Sequence, residues 1–86
     1  MYRIIISRYA LKEMERFPKQ VNKNISKAIE ELKFNPRPQG CKKLKVESEF
    51  LWRIRVGDYR VLYRIEEEIK VVDIRKIGHR KNIYKK

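Results

Sequence analysis

The sequence predicts an α+β domain in which an N-terminal strand is followed by an αα-hairpin and then by an antiparallel β-meander, in the order β-α-α-β-β-β. Apolar residues recur at helical spacing between positions 8 and 32, a proline-rich stretch at 35–40 stops that pattern, and a period of two begins after Gly40. This order favours helices packed on one face of a mainly antiparallel sheet. The length of 86 residues, without repeats or linkers, predicts a single domain spanning positions 1–86.

The N-terminal half supplies the first strand and both helices. A β-branched run from Met1 ends at Ser7, a residue type that commonly caps a helix, and predicts a buried strand. A short helix follows from Arg8 to Phe17, where Pro18 interrupts the pattern. The second helix is amphipathic over about four turns. Its apolar stripe consists of Val21, Ile25, Ala28, Ile29 and Leu32.

The second half alternates as strands do. Leu44 and Val46 alternate with charged residues and begin the sheet. Gly57-Asp58 lies between two alternating runs and predicts a tight hairpin turn. The run Glu66 to Glu68 predicts the next turn, and Ile69 to Ile77 the last strand.

The composition indicates an anionic partner. The chain carries 23 Lys and Arg against 11 Asp and Glu, a formal net charge of +12, of which +4 falls in residues 1–35 and +8 in residues 36–86. Nucleic acid, an acidic protein and an anionic membrane surface are the natural candidates, and the site is expected in the sheet half. Neither a membrane span nor a signal peptide is predicted, so we expect a soluble, cytoplasmic protein. One His and one Cys cannot form a zinc site, two Asp argue against a magnesium nuclease, and no cofactor is predicted.

The alternation predicts one apolar and one cationic sheet face. A two-residue loop at Gly57-Asp58 sets Arg55 opposite Arg60, with Trp52 and Tyr63 paired on the core face. A turn closed by Glu67-Glu68 would set Arg60 opposite Arg75 and create a row of arginines across three strands. Arg53 and Arg64 share that face. Such a row is unfavourable unless an anion covers it, and the guanidinium fork matches phosphate oxygens.

At WRIRVGDYRVLYRI, followed by IGHRKNIY, the sequence resembles the RelE/ParE superfamily of small bacterial and archaeal toxins, and within it the RelE branch. The resemblance covers the whole chain in element order. It implies the toxin of a type II toxin-antitoxin system, an mRNA interferase that cuts the message in the ribosomal A site. It also implies a cognate, acidic, RelB-like antitoxin that holds the toxin inactive in a hetero-oligomeric complex.

The resemblance assigns residues by similarity. It matches Arg53 and Arg55 to two basic positions before the hairpin, Arg60 to the arginine of a Y-R-[VL]-[LV]-Y motif, and Arg80 and Tyr84 to the terminal motif. We therefore expect a catalytic set and an RNA-binding set. The catalytic set is Arg60, Arg80, Tyr84 and His79, and the RNA-binding set is Arg53, Arg55, Arg64, Arg75 and Lys81.

The sequence does not decide which residues act as general acid and general base. Cleavage by the substrate's own 2′-hydroxyl requires a proton acceptor, stabilisation of charge on phosphorus, and a proton donor to the departing 5′-oxygen. Arginine suits only the second task, because it stays protonated. His79 and Tyr84 are the first candidates for proton transfer, with Tyr59, Tyr63 and the lysines behind them. His79 could instead only bind phosphate, and Tyr84 could only stack on a base.

Two other functions compete with the interferase. One is a ParE-like toxin that poisons DNA gyrase and needs no nuclease residues. The other is a non-catalytic RNA-binding or ribosome-binding module, which needs the cationic face but not His79 or Tyr84 beside it.

Overall fold

The computed structural model describes residues 1–84, which form five strands and two helices. In chain order these are β1 (Arg3–Ile6), α1 (Arg8–Met14), α2 (Lys19–Glu31), β2 (Lys42–Val46), β3 (Glu49–Val56), β4 (Tyr59–Glu66) and β5 (Val71–His79). The predicted α+β class and the order of one strand, two helices and then a β-meander are confirmed, and the meander has four strands where three were predicted. Among the described residues no helix is both long and apolar enough to cross a membrane.

All five strands join one sheet in the order β1-β5-β4-β3-β2. The strands β2 to β5 form an antiparallel meander, and β1 returns to pair parallel with β5. The helices connect β1 to the far edge of the sheet and contact β3 and β5, so they cover one sheet face as expected. The opposite face, which we call the outer face, is left for the site.

Local sequence signals fix the helix ends. Ser7 caps α1, since its hydroxyl accepts a hydrogen bond from the Ala10 amide at 3.0 Å. The helix ends at Met14 rather than continuing to Phe17, and α2 starts directly after Pro18.

The main core lies between the helices and the sheet. Its fully buried members include Ile25 and Leu32 from the helical half and Val61, Tyr63 and Ile74 from the sheet. The Tyr63 hydroxyl donates a 2.7 Å hydrogen bond to the Pro36 carbonyl, which ties the loop after α2 to the core. Tyr63 is therefore a core residue, as predicted, and its burial removes it from the candidates for proton transfer.

The predicted register of β3 and β4 is confirmed. Val56 pairs with Tyr59, Arg55 with Arg60 and Trp52 with Tyr63. Gly57 adopts φ 60°, a conformation that glycine reaches without steric cost and that a tight hairpin requires.

The predicted register of β4 and β5 is wrong. Arg60 pairs with Gly78 and not with Arg75, and a β-bulge interrupts the pairing between Leu62 and Tyr63. The bulge inserts one residue into β5, so that Ile74 and Ile77, three positions apart, both face the core. It also reverses the alternation of all later residues. The predicted row of arginines across three strands does not form.

The outer face carries a second, smaller apolar cluster. Leu51, Leu62 and Ile83 are buried there, with Leu44 and Val46 packed against them. Ile83 comes from the segment after β5, so this segment folds back over the sheet. The cluster divides the outer face into two ends of different charge.

Candidate functional site

Four arginines gather at the hairpin end of the outer face, and we call them the arginine cluster: Arg53, Arg55, Arg60 and Arg80. Arg55 and Arg60 are directly opposed across β3 and β4, and Arg53 follows on the same face of β3. Within residues 1–84, the side chains of these three strand arginines form no ion pair. Their mutual repulsion is therefore not offset by carboxylates of the described chain.

The Gly57-Asp58 turn anchors two arginines that are distant in sequence. Nη1 of Arg60 donates to the carbonyls of Gly57 and Tyr59, both at 3.0 Å. The Arg80 amide donates to the Asp58 carbonyl at 2.8 Å, and its Nε lies 3.4 Å from Asp58 Oδ1. One turn thus fixes where Arg60 and Arg80 lie relative to each other.

The arginines of the cluster influence one another electrostatically. Partial desolvation, followed by the positive charges of Arg55, Arg53 and Arg80, lowers the pKa of Arg60 from its ordinary value. Tyr84 acts in the opposite direction on that pKa, so its hydroxyl lies within electrostatic reach of Arg60. The Tyr84 side chain is about half exposed, at 52%. The cluster therefore combines guanidinium groups with one accessible phenol.

Arg53 differs from the others because it is buried. Its side chain is 8% exposed, and Nη2 donates to the Gly40 carbonyl at a long 3.4 Å. Nε of Arg53 is buried without a hydrogen-bond partner among the described residues. A buried donor without a partner is costly, and such groups are often kept for function.

His79 lies on the other side of the sheet from the arginines. Its ring packs edge-on against Tyr59 at 5.4 Å between centroids, and Tyr59 in turn contacts Phe17 at 4.8 Å. Nδ1 of His79 accepts a hydrogen bond from the Lys81 amide at 3.1 Å. The bulge in β5 explains this position, because it turns Gly78 and not His79 toward Arg60. Lys81 is exposed in the turn that follows.

Arg64 and Arg75 lie at the opposite end of the outer face and do not join the cluster. Arg64 pairs with Glu66 at 3.0 Å, Arg75 pairs with Asp73 at 3.7 Å, and Glu49 Oε1 lies 3.8 and 3.7 Å from the two arginines. Carboxylates thus surround these two guanidinium groups.

The cluster suits phosphate binding. Guanidinium groups on a fixed turn present several N–H donors to an anion and stabilise charge that develops there. Residues 1–84 contain no group of three or more His, Cys, Asp or Glu side chains placed to hold a metal ion. Arg55 and Arg80 are exposed, so a polymeric ligand can reach them.

The sequence does not reveal the anchoring role of the turn. It predicts Asp58 only as a turn residue, whereas in the structure Asp58 also holds Arg80. The packing of Ile83 could be predicted, because a lone apolar residue in an otherwise basic segment is a usable signal for packing. Nothing in the local sequence shows that Glu49 would lie between Arg64 and Arg75.

A family model matches residues 4–84 of the chain. It describes the ParE toxin of the type II toxin-antitoxin system parDE. A Methanocaldococcus jannaschii protein named as a candidate toxin, RelE1, is 33% identical over 87 residues, which cover 98% of this chain and 96% of that protein.

Solved structures share the fold. The archaeal RelE-RelB complex from Pyrococcus horikoshii matches with a TM-score of 0.81 and 29% identity, over 94% of this chain and 97% of that one. The toxin-antitoxin complex RelBE2 from Mycobacterium tuberculosis matches with a TM-score of 0.80 and 25% identity, over 91% and 96% of the two chains.

Proposed function

Since this chain belongs to the RelE/ParE superfamily of type II toxin-antitoxin toxins, we propose that it is an mRNA interferase that cuts the message in the ribosomal A site. The observation that carries the proposal is the common anchoring of Arg60 and Arg80 on the Gly57-Asp58 turn. Two guanidinium groups fixed around one point match a single phosphate whose negative charge increases during cleavage.

The proposed reaction uses the 2′-hydroxyl of the message. Its oxygen bonds to the adjacent phosphorus while the bond to the 5′-oxygen breaks, which leaves a 2′,3′-cyclic phosphate and a 5′-hydroxyl. Arg60 and Arg80 bind the phosphoryl oxygens and stabilise the added negative charge. Arg53 and Arg55 bind flanking phosphates.

Few groups of the chain can transfer a proton near the arginine cluster. Tyr84 is the accessible hydroxyl near Arg60, whereas His79 packs on Tyr59 across the sheet. We therefore assign to the Tyr84 phenol the donation of a proton to the departing 5′-oxygen, while the proton of the 2′-hydroxyl passes to water or to a group of the ribosome. His79 orients the segment that carries Arg80 by accepting a hydrogen bond from the Lys81 amide. The scarcity of acid and base groups implies that the ribosome aligns the substrate and supplies part of the site.

The cytoplasm, where messages are translated, is the proposed site of action. A cognate acidic antitoxin is the proposed partner, in keeping with the RelB partners of the two solved complexes and with the net charge of +12. Its carboxylates would cover the arginine cluster and block the phosphate site.

Cleavage on ribosomes tests the proposal. The chain is induced with and without the neighbouring gene product, and message ends are mapped on ribosomes. In parallel, purified RNA is incubated with the protein in EDTA. We expect cuts within translated message and almost none in naked RNA. Efficient cleavage of naked RNA in EDTA contradicts ribosome dependence, and no cleavage in either assay contradicts the nuclease.

A gyrase poison is the second candidate, because the matching family model describes ParE. Inhibition of gyrase supercoiling by the purified chain, with intact message, would establish it. A non-catalytic RNA-binding module would instead bind ribosomes and leave both message and supercoiling unchanged.

A further inference from the structure

A second cationic surface lies on the helix-packed side of the sheet, at the hairpin formed by β2 and β3. We call it the Phe50 patch and define it as Arg37, Lys43, Lys45, Phe50 and Trp52. The register pairs Lys43 with Trp52 and Lys45 with Phe50, so these four side chains share one sheet face. This face is opposite the one that carries the arginine cluster.

Cations and aromatic rings alternate within the patch. Nζ of Lys43 lies 5.2 Å from the Phe50 ring centroid and 5.8 Å from that of Trp52. Nζ of Lys45 lies 6.0 Å from the Phe50 centroid. Arg37 Cζ lies 5.0 Å from the Trp52 centroid. Every cation of the patch thus lies at the distance of a cation–π contact.

The Phe50 ring and the two lysines of the patch are available to bind a ligand. Phe50 is 59% exposed, so much of its ring is open to solvent. Among the described residues Lys43 and Lys45 form no ion pair, while Arg37 pairs with Glu67 at 3.3 Å. Of the two acids in the hairpin, Glu49 faces away toward Arg64 and Arg75, which leaves Glu47 in the turn.

The chemistry of the patch fits an unpaired nucleic-acid strand better than a folded protein. Lys43 and Lys45 are two residues apart on a strand, or about 6.8 Å, which is close to the spacing of successive phosphates in an extended single strand. An open ring beside such cations is a platform on which an unpaired base can stack. An acidic protein segment would satisfy the lysines but would leave the Phe50 ring without a planar partner.

We propose that the Phe50 patch binds an unpaired segment of RNA, with a base stacked on Phe50 and with Lys43 and Lys45 against its phosphates. The inference rests on the proposed function in taking RNA as the ligand. The sheet separates the patch from the arginine cluster, so the bound segment is not the message at the scissile phosphate. Ribosomal RNA is the source to which this geometry points.

Trp52 is the only tryptophan of the chain and lies within the patch, so its fluorescence reports occupancy there. The probe is a ten-nucleotide oligouridylate titrated into the full chain. We expect quenching of Trp52. Phe50→Leu should weaken the measured affinity at least about fivefold, as the loss of a stacking ring does. Lys43→Ala and Lys45→Ala should each lower the slope of log affinity against log salt by about 0.7.

Phe34→Leu is the matched control, because Phe34 is also exposed, at 71%, and lies outside the patch. It should leave the titration unchanged. Arg80→Ala should lose cleavage and keep the Trp52 titration, which separates failure of the proposed function from failure of the patch.

The second measurement is binding of the chain to ribosomes that carry no message. Phe50→Leu should lower affinity for them to the same degree whether or not message is added. An effect that needs message would overturn the assignment to ribosomal RNA. Unchanged affinity of Phe50→Leu for both the oligonucleotide and ribosomes, or a loss confined to antitoxin binding, would overturn the proposal itself.

Discussion

Gly78 and Ile83 are in direct contact, and the lack of a side chain on Gly78 makes room for the contact. A Cβ built on Gly78 would lie 3.1 Å from Cδ1 of Ile83, which is tighter than nine in ten real Cβ contacts. Ile83 is 3% exposed and packs on Leu51 and Leu62. This contact holds the segment that carries Arg80 and Tyr84 against the sheet.

Replacement of Ile83 by Ala should therefore loosen that segment. We expect a loss of about 2 kcal/mol in the free energy of unfolding, at the low end for a buried isoleucine because the segment is terminal. Hydrogen exchange should accelerate at the amides of Arg80 and Asn82, which are bonded to Asp58 and His79. Ile83→Val is the control, with a cost of about 1 kcal/mol. Unchanged exchange in Ile83→Ala would show that Ile83 does not hold the segment.

The cluster should separate into binding and catalytic arginines. Arg60→Ala and Arg80→Ala should lower single-turnover cleavage on programmed ribosomes by about a hundredfold or more, because each removes a fixed donor to developing charge. Arg55→Ala should weaken binding and keep the rate at saturation. Arg55 is the better probe of a flanking contact than Arg53, since Arg53 is buried and its loss also disturbs packing. A full rate in Arg80→Ala would favour the RNA-binding module.

The arginines at the far end of the outer face should contribute little to RNA binding. Arg64 and Arg75 are surrounded by Glu49, Glu66 and Asp73, so an RNA phosphate must compete with carboxylates. Arg64→Ala should change the salt slope of RNA binding by less than half of the change in Arg55→Ala. Its effect on stability should stay below about 1 kcal/mol, because the ion pairs are partly exposed. Equal slopes in the two variants would restore the sequence-based assignment of Arg64.

Association with the antitoxin should slow as salt rises. The net charge of +12 steers an acidic partner to the toxin, and salt screens that attraction. Stopped-flow measurement between low and physiological salt should show a fall in the association rate of about tenfold or more. An association rate independent of salt would argue against neutralisation of the cluster by carboxylates.

Tyr63 should make the fold sensitive to alkaline pH. Burial, and then the nearby Cys41, raise the pKa of the Tyr63 hydroxyl above its ordinary value, and Arg37 opposes the shift. The unfolded chain therefore releases this proton first, and stability falls as pH rises above about 10. Tyr63→Phe should lack this component of the pH dependence. At neutral pH it should cost about 1–2 kcal/mol, because the Pro36 carbonyl loses its donor. Tyr9→Phe, at an exposed tyrosine, should keep the alkaline loss.

The strand pairing that forms the Phe50 patch could be predicted from the sequence. A two-residue turn at Glu47-Ser48 pairs Val46 with Glu49 and thereby Lys43 with Trp52, as the structure has it. The run from Cys41 to Phe50 contains no glycine, so the usual sequence signal for a tight turn is missing there. Glu47 adopts a φ of 58° at a cost that glycine would avoid.

The sequence by itself determined the element order, the core face and the register of β3 against β4, because period-two alternation combined with a two-residue glycine turn leaves only one pairing. Only the tertiary structure decided how β5 aligns with β4. Ile74 and Ile77 both pack in the core although they are three positions apart, and a bulge in β5 allows both side chains to face it. Because of this one inserted residue, His79 pairs with Tyr59 and Gly78 pairs with Arg60. Arg75 lies among carboxylates instead of beside Arg60. The exclusion of Arg75 and His79 from the arginine cluster followed from this packing requirement between distant residues, which no local pattern records.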